Sequence, residues 1–184
     1  MIIAAVGKNA TGKDYFLEYI AKQHNLPMFS VGDIVRELAT KDGLELTRDN
    51  LHATSAKYMA AYGQDFFPKQ LIQKIKDANM ETVLVSGIRP YSDVVAFKEA
   101  FGDEFVLIDV KISSDEERYR RMQVRASARD PQTYEQFLAQ DRGEEEQFHT
   151  SQTEAMADYV IYNDGTQEEY LAQADKFYEE HIKK

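Results

Sequence analysis

The chain has 184 residues and no cysteine, which sets aside disulfide scaffolds, thiolate zinc sites and cysteine nucleophiles. Its 43% hydrophobic content suits one globular domain with a buried core. The formal net charge of −10 disfavours a nucleic-acid-binding surface, and no apolar run approaches membrane-spanning length. The expectation is a cytoplasmic protein, monomeric or homodimeric, without nucleic-acid or membrane partners. The four histidines (His24, His52, His149, His181) are scattered and show no metal-binding spacing.

Short apolar, β-rich runs alternate with helical patterns along the chain. Ile2–Val6 reads as a buried strand and Lys13–His24 as a helix. Met28–Ser30 is a short strand, followed by helices over Asp33–Ala39, Thr47–Tyr62 and Phe67–Ala78. Thr82–Ser86 is the third strand, with a helix over Ser92–Phe101. Phe105–Lys111 is the fourth, with helices over Ser114–Ala128 and Thr133–Glu146. Tyr159–Tyr162 is the last, and a closing helix starts at Thr166. Ser114 with Glu117, Thr133 with Gln136, Ser151 with Glu154 and Thr166 with Glu169 each have the spacing of a capping box. Strands alternating with helices imply a three-layer α/β/α fold around a five-stranded parallel sheet. Ligands in such a fold bind beyond the carboxyl ends of the strands.

The first strand runs straight into Gly7-Lys8-Asn9-Ala10-Thr11-Gly12-Lys13-Asp14, with the spacing G-x4-G-K. The glycines let the backbone wrap so that successive amides point at phosphate oxygens, and the following helix adds its positive end. Lys13 reaches the β- and γ-phosphates of a nucleotide in this reading. The fold is thus a P-loop NTPase fold, with ATP and Mg²⁺ as its expected ligands. A hydroxyl residue normally follows the lysine and touches the metal. Here Asp14 supplies a carboxylate, which is also a hard oxygen ligand, or else only charges the helix start.

The second strand ends in Ser30-Val31-Gly32-Asp33-Ile34-Val35-Arg36, and the third in Ser86-Gly87-Ile88-Arg89-Pro90. At these two places the chain resembles the nucleoside monophosphate kinases, whose adenylate kinase branch carries Ser-Thr-Gly-Asp-x-x-Arg and Asp-Gly-Phe-Pro-Arg. The resemblance implies that Arg36 and Arg89, with Gly87, hold the acceptor. It makes Asp33 either a cap or a catalytic carboxylate near the metal and the acceptor proton. Ser86 departs from the acidic residue of that pattern, which shifts metal binding to Asp14 or Asp33.

Arg118, Arg121 and Arg125 share one helical face, and Arg120, Arg129 and Arg142 lie close by in sequence. The resemblance makes Arg121, Arg125 and Arg142 lid arginines that close on the triphosphate and the moving phosphoryl group; the alternative is a solvated face neutralised by Asp115, Glu116 and Glu117. It also places Asn163-Asp164-Gly165 against the donor base. Tyr58 is a candidate for stacking on an acceptor base, or else for core packing. The Gly-Lys-Asp loop ending, the Gly-Asp-Ile-Val-Arg-Glu run and the Gly-Ile-Arg turn resemble adenylate-kinase-like and dephospho-CoA-kinase-like proteins common in archaea. This reading divides the single domain into a core (1–36 and 79–184), a helical acceptor-binding insert (about 37–78) and a short lid (about 118–142). The implied activity is phosphoryl transfer from ATP to a small phosphorylated acceptor. A nucleoside monophosphate comes first, dephospho-CoA is the alternative, and an acceptor-free regulatory ATPase is the third reading.

Overall fold

The computed structural model of the chain describes residues 1–125 and 130–183. Five parallel strands form one sheet in the order β2-β3-β1-β4-β5: β1 (Ile2–Val6), β2 (Met28–Ser30), β3 (Val83–Ser86), β4 (Phe105–Lys111) and β5 (Tyr159–Tyr162). β1 is buried at every position because it lies at the centre with helices on both faces. Its alternate residues enter two separate cores. Ile2, Ala4 and Val6 face a cluster with Phe67, Leu71, Phe97 and Leu107, whereas Ile3 and Ala5 face Phe16, Leu17, Ile20 and Phe177. Two cores divided by one sheet are the three layers expected from the strand–helix alternation.

The helices are α1 (Lys13–His24), α2 (Val31–Lys41), α3 (Arg48–Tyr62), α4 (Phe66–Ala78) and α5 (Tyr91–Phe101), then α6 (Asp115–Arg125), α7 (Tyr134–Phe148), α8 (Thr150–Glu154) and α9 (Gln167–Phe177). Among the described residues no helix is long and apolar enough to cross a membrane. The capping boxes at Thr133 and Thr166 form in both directions. At Ser114 only half forms: its Oγ accepts from the Glu117 amide at 3.1 Å but donates to Glu116. The box expected at Ser151 does not form, because Ser151 already lies inside α8 and both its amide and its hydroxyl turn to Glu145 of α7.

β5 is an edge strand whose Tyr159, Val160 and Tyr162 are exposed. One further expectation is corrected. The helix expected from Ser114 starts at Asp115, and its described part ends at Arg125; Ala126–Ala128, with Arg129 and Lys184, lie outside the described residues.

Candidate active site

The turn between β1 and α1 is held from behind by its own carbonyls. Arg118 NH1 donates to Asn9 O (3.2 Å), Asn163 Nδ2 to Thr11 O (2.8 Å) and the Tyr170 hydroxyl to Gly12 O (3.0 Å). Thr11 Oγ1 (3.0 Å) and Lys13 Nζ (3.3 Å) both donate to Lys8 O. A peptide plane that points its carbonyl one way points its amide the other way. The amides of Lys8 to Gly12 have no acceptor among the described residues, so the loop forms an anion nest. Gly7 (φ 134°) and Gly12 (φ 95°) make the path possible. A Cβ on Gly7 would stand 2.4 Å from Val110 O, and one on Gly12 2.6 Å from Asn163 Nδ2. Ala10 is also left-handed, at φ 65°, a local strain that the tied carbonyls on both sides sustain. Burial holds the Lys13 ammonium below the usual lysine range, the direction expected of a cation waiting for anions.

A cavity of about 490 Å³ opens on the first half of this loop. Of the residues expected at the site, Gly7, Lys8, Asn9, Lys13, Arg89 and Arg142 line it. Its outer wall comes from α7 and α8, including Asp141, Glu144, Glu145, Thr153 and Glu154. Each lining arginine has a different status. The Arg89 guanidinium is gripped by Glu144 (2.7 and 2.8 Å), whereas Arg142 has no ion pair among the described residues. Glu145 is held to about pH 2 by hydrogen bonds from Ser151 and Thr150.

The remaining candidates sit around this cavity rather than on it. Asp33 is a helix cap: one oxygen accepts from Ser30 N (3.0 Å) and the other pairs with Arg36. Gly87 packs on the Ser30 hydroxyl, so the ends of β2 and β3 form one edge. Asp14 is exposed on the first turn of α1 and has no hydrogen bond or ion pair among the described residues. Arg121 bridges Glu117 (2.8 Å) and Asn163 O (2.9 Å), tying α6 to the turn that carries Gly165. Arg125 pairs with Asp130. Tyr58 stacks with Tyr62 and Phe66, and its hydroxyl donates to Asp42 at 3.2 Å, away from the cavity. Carboxylates neutralise the shared arginine face, Asp115 and Glu117 among them as the alternative reading has it, but Arg118 is buried rather than solvated and Asp141 and Asp130 also take part.

Three residues beside the loop and the cavity were not among the site residues expected from the sequence. Arg118 is fully buried, stacks on Phe137 and binds Asp115, Asp141 and the phosphate loop together. Asp109 faces Val6 across the β1–β4 ladder and is fully buried. Glu154 comes from the short helix α8. Arg118 joins Asp141 and Asn9, 23 and 109 positions away, and no local pattern reveals such pairs.

A family model described as an AAA domain matches residues 6–137. A UPF0200 protein of Thermococcus kodakarensis is 33% identical over 186 residues, covering 100% of both chains. This chain belongs to the UPF0200 family. A UPF0200 protein of Methanocaldococcus jannaschii is 32% identical over 182 residues, covering 98% of this chain and 90% of that one. Among solved structures, a shikimate kinase from Bacteroides thetaiotaomicron superposes with a TM-score of 0.57 at 15% identity, covering 97% of both chains. A gluconokinase from Sinorhizobium meliloti gives 0.54 at 16% identity, again covering 97% of both. These likenesses show that this chain has the fold of small-molecule P-loop kinases.

Proposed function

We propose that this UPF0200 chain is a phosphotransferase that moves the γ-phosphoryl group of ATP to a small acceptor seated in the cavity beside Gly7–Lys13. The observation that carries the reading is the loop itself. Its carbonyls are tied back by Arg118, Asn163 and Tyr170, and its amides are left without protein acceptors next to a buried lysine. Phosphoryl transfer needs positioning and charge neutralisation more than covalent help. Lys13 and the amides hold the triphosphate. Arg142, together with Arg89 once Glu144 releases it, receives an anionic group of the acceptor. In this reading Arg121 and Arg125 leave their carboxylate partners to close over the donor, and the turn of Asn163 and Gly165, which Asn163 ties to Thr11 O, receives the donor base.

Mg²⁺ fits this donor set through Asp14, a solvent-facing carboxylate at the first turn of α1; Asp33 has both oxygens committed. When bound, the ion neutralises charge on the β- and γ-phosphates.

A nucleoside monophosphate and a hydroxyl acceptor such as dephospho-CoA are the two acceptor classes to separate. One observation favours the hydroxyl: among the described residues no aromatic side chain lines the cavity, and Tyr58 is held in the aromatic cluster of α3 and α4. The test is calorimetry with ATP·Mg, followed by ADP release with a panel of nucleoside monophosphates and dephospho-CoA. Wild-type protein binds ATP and releases ADP faster with one panel member, and Lys13→Ala loses binding. No heat with ATP·Mg or GTP·Mg defeats the reading. ADP release that no acceptor stimulates turns it into that of a regulatory ATPase.

A further inference from the structure

We propose that Glu154, backed by Asp109, is the base of this site and that the acceptor is a small non-aromatic alcohol carrying its own anionic group. The proposal rests on the phosphotransferase reading above and assigns the acceptor end of the same cavity.

The carboxylates of the cavity wall are nearly all spent. Asp115 and Asp141 hold Arg118, Glu144 holds Arg89, and Glu145 is saturated by Thr150 and Ser151. Glu154 is the exception: it lines the cavity, and its Oε1 is buried without a hydrogen-bond partner. Behind it lies Asp109, fully buried at the ladder position beside Val6, one residue before the phosphate loop. Lys111 Nζ pairs with Asp109 Oδ2 at 3.0 Å, while Asp109 Oδ1 has no hydrogen-bond donor among the described residues. A buried acceptor without a donor is costly. A ligand hydroxyl supplies the missing donor. Arg142, which lines the same cavity and has no ion pair among the described residues, calls for an anion on the same ligand, and no ring among the described residues lines the wall to stack on a nucleobase.

The charged groups acting on Glu154 are Asp109 and Lys111 from β4, Lys8 from the loop and Glu145 from α7. Burial first, then Asp109, raises the Glu154 carboxyl above the usual glutamate range, towards that of a working base. In the step, the acceptor O–H gives its proton to the Glu154 carboxylate while its oxygen bonds to the γ-phosphorus. The bond from that phosphorus to the β,γ-bridging oxygen breaks, and ADP leaves with the electron pair. Glu154 then returns the proton to solvent.

Water is the one acceptor always present, so slow ATP hydrolysis reads the same base. The experiment compares wild type with Glu154→Gln. It measures ATP affinity by calorimetry, hydrolysis across pH, and ADP release with glycerate, gluconate, shikimate, AMP and CMP. Glu154→Gln is expected to keep ATP affinity within twofold, lose about 100-fold in hydrolysis and transfer, and lose the acid limb of the pH profile. At least one hydroxy-acid stimulates the wild type. The proposal is overturned if Glu154→Gln hydrolyses ATP with the wild-type rate and pH profile, or if AMP or CMP is phosphorylated and the hydroxy-acids are not. It is equally overturned if the wild type binds ATP yet neither hydrolyses nor transfers it. A wild type that binds no ATP instead defeats the phosphate-loop reading.

Discussion

Gly12 and Ala10 both hold positive φ, yet the two positions are not equivalent. The methyl of Ala10 is already accommodated, whereas a Cβ on Gly12 would meet Asn163 Nδ2 at 2.6 Å, the group that ties back Thr11 O. Gly12→Ala is therefore expected to cost roughly 1–3 kcal/mol in urea unfolding and at least tenfold in ATP affinity. Ala10→Gly, which only relaxes a left-handed alanine, keeps ATP affinity within twofold. Calorimetry on both variants decides the point; equal affinities in Gly12→Ala and wild type would contradict a nest shaped by the Asn163 contact. The two acidic candidates separate by the same kind of inspection. Asp33 spends both oxygens within one helical turn of itself, and Asp14 spends none.

Among the described residues, helix α6 hydrogen-bonds to the phosphate loop through Arg118, whose guanidinium joins α6, α7 and Asn9 O. Removing one partner of a buried charge network leaves the others uncompensated, at a cost of about 3 kcal/mol. Arg118→Met is expected to lose that stability and also to weaken ATP binding, because Asn9 O is then free to turn. Arg118→Lys, which keeps the charge without the fork, should fold better and still bind ATP more weakly. A folded Arg118→Lys with wild-type ATP affinity would confine Arg118 to packing. At α5, Asp93 is buried behind the Arg89 turn, accepts from the Arg89 amide, and burial pushes its carboxyl up to about 7. The folded state thus holds this proton more tightly than the unfolded chain, where the value is 3.8. Its stabilising contribution is complete below pH 4 and is lost as pH rises through about 7, on the order of 4 kcal/mol in all. Asp93→Asn keeps the acceptor and removes the titration, so its unfolding free energy should fall less than that of wild type between pH 4 and 8. Parallel curves would refute it. Strands β1 and β4 were legible to the residue and β3 to within one, because two-sided burial writes a continuous apolar run. The short helix α8 was not, because five residues carry no period and the Ser151–Glu154 spacing imitates a cap whose partner is really Glu145.

The phosphate loop could be read from the sequence, since one contiguous stretch makes the nest. The cavity wall could not: Arg89 meets Glu144 55 positions away, and Asn9 meets Arg118 109 positions away. That long-range pairing fixes the position of α7, latched by Glu144 onto the turn after β3. Both partners are partly exposed, so the latch is worth about 1 kcal/mol or less, weak enough for an acceptor anion to displace. Glu144→Gln removes the competing charge and leaves Arg89 free. The variant is expected to bind sulfate, a plain dianion probe, about fivefold more tightly than wild type, with a melting temperature nearly unchanged. Its α7 amides should exchange hydrogen faster before the anion is added and equally after. A similar sulfate affinity in both proteins would mean that Arg89 is a strut for α7 and that Arg142 alone receives the acceptor's anion.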